Sequence, residues 1–229
     1  MESVRDAVSS VLKRRVVKPS EQRRAEILEA ALGLFSSKSF HETTMEEVAN
    51  AAGVAKGTIY LYFQSKEHLL LALKRDFMQG LTDAVANIVA DAIENLEAGK
   101  PVDYRDIIDD IFNAVVDYHT QHRDAVEVVV RQSPSPDLVR EALELERDYL
   151  ALITSAFNTG AEFGLVHTED PEMTARLVTA AIRDNIAACL CYSEPEDLDR
   201  LVEGAKQLLY KALAPNVELP PRRPRLVKS

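Results

Sequence analysis

The sequence predicts an all-α fold, on three observations. Apolar residues recur at helical spacing from about residue 20 to residue 214. Gly and Pro are few, 8 and 10 among 229 residues, against many Ala, Leu, Glu and Arg, a composition that favours helices over turns. No segment shows the every-second-residue alternation of a half-buried strand.

The elements follow in order. Residues 1–19 place Val4, Val8, Val11, Leu12 and Val16 near helical spacing, with a basic cluster of Lys13, Arg14, Arg15 and Lys18. They are read as an N-terminal arm, either a short amphipathic helix or a mobile basic segment; the basic residues follow the apolar ones, the reverse of a signal peptide. Ser20 suits the N-cap of a first helix, in which Ile27, Ala31, Leu34 and Phe35 share one face to about Lys38. Thr43 and Thr44 start a second helix, with Met45, Val48, Ala49 and Ala52 apolar, and Gly53 stops it. A third, very short helix runs from about Ala55 to Leu61. Ser65 caps a fourth, whose stripe of Leu69, Leu73, Phe77, Leu81, Val85 and Ile88 continues to about Glu97, before the break at Gly99-Lys100-Pro101. Some 33 residues at 1.5 Å each span roughly 50 Å, enough for a rigid lever between the N-terminal unit and the rest.

Beyond Pro101, helical patterns cover about 104–121, 124–132 and 136–160, and Gly164 offers a further break. Asp170-Pro171 opens 172–192 and Glu194-Pro195 opens 196–214, each with Pro at the first helical position, where its missing N–H costs nothing. Residues 215–229, with Pro215, Pro220, Pro221, Pro224 and three arginines, carry little that builds a core and are read as a disordered tail. There are no internal repeats.

An apolar fraction of 46% and 28% charged residues are ordinary for a soluble globular protein. No apolar run reaches the roughly 18 residues that a bilayer requires, so the expected location is cytoplasmic, with no membrane partner. Cys189 and Cys191 match neither a disulfide framework nor C-x-x-C metal spacing and are expected to be buried thiols. The net charge of −10 argues against nucleic acid for the chain as a whole. Its distribution does not. Residues 1–75 hold 12 Lys and Arg against 9 Asp and Glu, and residues 76–229 hold 15 against 28. Phosphate binding needs local positive charge, which a small basic head on an acidic body supplies.

The informative stretch is 43–66, TTMEEVANAAGVAKGTIYLYFQSK. It reads as a helix, a turn through Gly53-Val54 and a second short helix, the pattern of a helix-turn-helix. In such a unit the N-terminal residues of the second helix enter the major groove. Lys56 can donate to guanine or phosphate, Thr58 offers a hydroxyl, and Gly57 permits close approach. Thr44 and Lys66 stand at the starts of helices two and four, where backbone N–H groups suit phosphate oxygens. Tyr60 and Tyr62 can place phenol hydroxyls on phosphates, with Ile59 and Phe63 turned inward. Taken singly, the tyrosines read better as half-buried aromatics and the lysines as ordinary surface charges; the combination points to DNA.

The succession Thr-Thr, Val-Ala, Ala-Gly-Val, Lys-Gly-Thr-Ile-Tyr, Tyr-Phe and Ser-Lys-Glu-His-Leu resembles the signature of the TetR/AcrR family over about residues 21–73. The resemblance implies a helix-turn-helix DNA-binding domain at 20–66, joined by the long helix to a helical effector-binding and dimerisation domain at 67–214. It carries base and phosphate contact onto Thr44, Lys56, Gly57, Thr58, Tyr60, Leu61, Tyr62 and Lys66. Two positions depart from the family pattern: Glu46 is acidic where many relatives are basic, and Leu61 replaces a residue that is often polar or aromatic. Glu46 suits the positive end of its helix dipole.

The implied protein is a homodimer through 172–192 and 196–214, a repressor released from a pseudo-palindromic double-stranded operator by a small, largely apolar effector. Candidate effector contacts are Phe77, Phe112, Tyr118, Phe157 and Phe163, with His119, His122 and Asn158 as polar handles. His119 and His122 at i, i+3, with Asp117 or Asp124, have a weak metal reading, but without a further Cys/His cluster no metal or cofactor is expected. No nucleophile elbow, P-loop, dinucleotide fingerprint or H-E-x-x-H motif occurs, so no enzymatic activity is expected. The alternative is a helical protein–protein adaptor that uses the helix-turn-helix as scaffold.

Overall fold

A computed structural model of the chain describes residues 19–131, 139–192 and 195–213. The basic cluster of the arm, the Ser133–Pro136 break and the tail 215–229 lie outside the described residues. Among the described residues every regular element is a helix: α1 (Pro19–Lys38), α2 (Met45–Ala51), α3 (Lys56–Tyr62), α4 (Lys66–Glu97), α5 (Tyr104–Gln121), α6 (Arg123–Arg131), α7 (Val139–Glu144), α8 (Arg147–Glu162), α9 (Pro171–Tyr192) and α10 (Pro195–Leu213).

Two apolar cores organise these helices. Ile27, Leu28, Ala31 and Phe35 of α1 close on Val48 and Ala49 of α2, Ile59 of α3 and Phe63 to form the core of the head. The second core gathers Leu81, Val85 and Val89 of α4, Val115 of α5, Leu152 and Ile153 of α8, and Ile186 and Ala187 of α9. Helix α4 belongs to both: Leu69, Leu70, Ala72 and Leu73 are buried in the head, and Phe77 to Ile93 in the body. Its 32 residues make a rod of about 48 Å. Helix α6 is a second bridge, with Val126 in the body core and Val128 in the head core.

Local chemistry accounts for most of the boundaries. Thr44 and Glu47 form a capping box at α2: the Glu47 N–H donates to Thr44 Oγ1 at 3.2 Å and the Thr44 N–H to Glu47 Oε2 at 2.9 Å. Gly53 has φ +65°, and the Gly53 and Val54 N–H groups close on the last carbonyls of α2, a left-handed turn that a side chain would strain. Ser65 caps α4 as expected, and Gly99, at φ +68°, ends it. Asp103 caps α5 by accepting from the Arg105 N–H, and Asp170 accepts from the Met173 N–H ahead of α9.

The expected helix over 136–160 divides in two. Leu145 and Glu146 make a turn between α7 and α8, where the Glu146 side chain reaches Lys74 of α4 and Arg183 of α9. Tertiary ion pairing overrides local helix propensity there. Cys189 and Cys191 are half-buried rather than buried and form no disulfide, because the end of α9 lies at the surface of the single chain.

Candidate nucleic-acid interface and effector cavity

In the head, α3 buries Ile59 and leaves Ala55, Lys56, Gly57, Tyr60 and Leu61 at the surface, with Thr58 and Tyr62 half-buried. Alternation of this kind follows from the helical period, which sends Ile59 and then Phe63 to the core while their neighbours face out. Leu61 is 83% exposed. Space around the Cα of Gly57 is open, so the first turn of α3 presents a flat, small-residue surface flanked by the Lys56 amine and the Thr58 hydroxyl.

Two of the cations assigned to DNA have protein partners. Lys56 Nζ donates to Glu46 Oε2 at 2.8 Å, and both side chains remain 61% exposed. That hydrogen bond, together with the nearby carboxylate charge, holds the Lys56 amine above its ordinary pKa. Lys66 Nζ donates to the carbonyls of Thr43 at 2.9 Å and His41 at 3.2 Å, and lies 4.5 Å from the centre of the Phe40 ring. It fastens the loop that delivers Thr44. Sequence reasoning missed the role of Thr43, which is buried and donates its hydroxyl to the Ser39 carbonyl at 2.7 Å. On the flank, Lys38 pairs with Glu47; this bond, and the two that Thr44 supplies, lower the Glu47 carboxyl to about 2.

The body holds an apolar cavity that is partly open to solvent. Its wall is built by Val89, Ile93 and Leu96 of α4, Ile107 to Val115 along α5, Ile153 to Gly160 along α8, Val178 and Ile182 of α9 and Leu209 of α10, among others. Polar groups on this wall are confined to Tyr104, Tyr149, Thr159, Thr179 and Arg183. Burial pushes the Tyr149 phenol up to about 12, so it stays protonated.

The effector candidates fall into three places. Phe112 and Phe157 line the cavity. Phe77, Tyr118 and His119 form a ring cluster in the body core, with Phe77 edge-on to His119 at 5.2 Å, while His122 stacks on Tyr118 at 4.2 Å. His119 is 1% exposed, and its Nδ1 lies 2.7 Å from the Val115 carbonyl. Burial lowers its pKa, favouring the neutral ring. Asn158 and Phe163 lie along an open groove on another side of α8. Most of the wall is aliphatic rather than aromatic, and its signal in the sequence is the Ile107, Ile108, Ile111, Phe112 and Val115 stripe of α5. Among the described residues no three His, Cys, Asp or Glu converge on a metal position, and no helix is long and apolar enough to cross a membrane.

Residues 27–73 match the family model for bacterial regulatory proteins of the tetR family, and residues 103–213 match that for the tetracyclin repressor-like C-terminal domain. The chain is similar to the fatty acid metabolism regulator protein of Bacillus subtilis (strain 168), 22% identical over 198 residues that cover 86% of this chain and 98% of that protein. Among solved structures, Bacillus subtilis FadR in complex with stearoyl-CoA aligns with a TM-score of 0.66 at 20% identity, covering 81% of this chain and 96% of that one. Thermus thermophilus FadR in complex with lauroyl-CoA aligns with a TM-score of 0.63 at 23% identity, covering 89% and 98%. With both of its domains matched, the chain belongs to the TetR/AcrR family of bacterial transcriptional regulators.

Proposed function

We propose that this regulator is a ligand-responsive, sequence-specific repressor, released from a pseudo-palindromic operator by a small, largely apolar effector held in the body cavity. The observation that carries this reading is the dual membership of α4. Its first turns are buried in the head core, and Val89, Ile93 and Leu96 further along the same rod wall the cavity. A ligand that changes the packing of that wall moves a helix continuous with the head. Helix α6, shared between the two cores, offers a second mechanical connection.

On DNA, Lys56, Gly57 and Thr58 read base edges, and Leu61 suits contact with a thymine methyl. Thr44, Tyr60 and Tyr62 hold phosphates. Lys66 acts mainly by fixing the loop before Thr44. Dimerisation uses α9 and α10, whose exposed Leu177, Tyr192 and Leu208 are 64%, 63% and 69% accessible in the single chain. Such a face is self-complementary about a two-fold axis, which sets two recognition helices about 34–36 Å apart for successive major grooves. The effector acts by favouring a conformation in which that spacing fails.

The two FadR relatives were solved in complex with stearoyl-CoA and lauroyl-CoA, so acyl compounds are the first effectors to try. Fluorescence anisotropy against DNA upstream of the protein's own gene tests the whole reading. Sequence-specific binding at physiological salt, weakened at least tenfold by lauroyl-CoA or stearoyl-CoA, is the expected result. Binding that is salt-driven and indifferent to sequence would overturn it and favour the adaptor.

A further inference from the structure

Among the described residues Arg183 is the one charged side chain in the cavity wall, whose lining is mostly isoleucines, valines and leucines. Its own side chain is 17% exposed. Nη1 lies 3.0 Å from Glu146 Oε2, and Nε and Nη2 lie 3.0 Å from Asp184 Oδ1. The second oxygen of Glu146, Oε1, lies 3.2 Å from Lys74 Nζ. Lys74 belongs to α4 where that rod leaves the head, next to Leu73 of the head core and three residues before Phe77 of the body core. One carboxylate therefore has one oxygen on a cation of the cavity wall and the other on the lever helix. Burial pushes the Glu146 carboxyl up; Arg183 and Lys74 outweigh it and keep the group ionised, below its ordinary value.

We propose that the effector is an amphiphile whose apolar chain lies along the cavity and whose oxygen acceptor meets Arg183, and that Glu146 couples this contact to α4 through Lys74. This rests on the ligand-responsive reading above. The other polar side chains of the wall are the neutral hydroxyls of Tyr104, Tyr149, Thr159 and Thr179, so the guanidinium is the strongest donor there for the polar end of a ligand, whereas an acceptor set against the aliphatic lining loses its hydrogen bonds to water without replacement. When that acceptor takes a share of the Arg183 donors, Glu146 loses part of its partner in a half-buried turn. The carboxylate and Lys74 then rearrange, and the change is delivered to α4 one residue from the head core. Linkage requires the reverse as well: DNA that fixes α4 weakens the ligand. A free carboxylate and a thioester carbonyl both provide the acceptor.

The test uses the full chain, with laurate and lauroyl-CoA as probes. Calorimetry gives the ligand Kd, and anisotropy gives operator affinity with and without saturating ligand. Arg183→Met should weaken the bound probe at least tenfold, with Arg183→Lys retaining part of the loss-prone contact and a melting temperature near wild type. Lys74→Met should bind the probe within twofold of wild type, yet lose less than twofold in operator affinity when the ligand is added, where wild type loses at least tenfold. Equal probe binding by wild type and both Arg183 variants would overturn the assignment of the polar end. A wild-type response from Lys74→Met would overturn the coupling. Neither result touches operator recognition or the apolar effector of the preceding reading. Failure of both probes to bind wild type would sink the amphiphile itself, while the anisotropy without ligand still judges DNA recognition. Response to laurate alone assigns the acceptor to a carboxylate, and response to lauroyl-CoA alone to a thioester.

Discussion

Lys56 Nζ and Glu46 Oε2 meet at 2.8 Å, joining the first turn of α3 to the first turn of α2. The pair ties the foremost candidate base reader to the acidic position that departs from the family pattern. Both side chains are largely in water, where such a bond is weak and screened by salt. If Lys56 reads bases as proposed, DNA competes with Glu46 for the same amine, and the carboxylate repels nearby phosphates. Glu46→Gln is expected to tighten binding to operator and to random DNA by roughly threefold or more and to steepen the salt dependence by about one phosphate equivalent. Lys56→Met is expected to weaken operator binding by roughly tenfold or more and to relax selectivity at one base pair. Anisotropy titrations over a salt series check both; an unchanged slope in Glu46→Gln would contradict the competition.

The capping box of α2 has an acid signature. Lys38 first, then the Thr44 N–H and hydroxyl, hold the Glu47 carboxyl at about 2. A depressed carboxylate contributes its stability above the unfolded value, and that contribution is lost as pH falls toward the folded value. The window here runs from about 4.5 down to about 2. Melting temperature should fall across that window in wild type and fall less in Glu47→Gln. Thr44→Ala, which removes the cap itself, should cost about 1 kcal/mol at neutral pH, read by urea denaturation.

Lys66 behaves in the structure as a fastener of the loop before α2, through its bonds to the Thr43 and His41 carbonyls. Lys66→Met keeps the apolar stem and removes both bonds. It should destabilise the protein by about 1–2 kcal/mol, since hydrogen bonds to charged groups are stronger than neutral ones and this one is partly solvated. A variant with wild-type stability and reduced DNA affinity would instead make Lys66 a direct phosphate contact.

Gly80 gives α4 its close approach to α5. A Cβ there would lie 2.1 Å from Tyr118 Oη and 2.8 Å from Tyr118 Cζ. The Tyr118 ring has little freedom to withdraw, because it stacks on His122 and packs against Phe77. Gly80→Ala should therefore be destabilising by about 1–3 kcal/mol despite the better helix propensity of Ala. Adding Tyr118→Phe removes the nearest atom and should recover part of the loss. If the double variant is no more stable than Gly80→Ala, the contact is not the cause.

The head was legible in the sequence because its determinants are local. Gly53 at positive φ, the Thr44 and Ser65 caps and the four-residue spacing from Ile59 to Phe63 act within a turn or two of the chain, so residue order alone predicts three helices and the exposed face of α3. The length of α4 and the openings of α5 and α9 were legible for the same reason. Only the tertiary structure decided what depends on distant residues meeting. It shows Lys56 on Glu46 and Lys66 on the loop carbonyls. It separates Phe112 and Phe157 in the cavity from Phe77, Tyr118 and His119 in the core, residues of similar apolar character whose helical phase relative to α4 and α8 no single-chain pattern reports. The turn at Leu145-Glu146 arises in the same way: one carboxylate is drawn between Lys74 and Arg183, which stand more than a hundred residues apart in the sequence and are brought together by the packing of α4, α8 and α9.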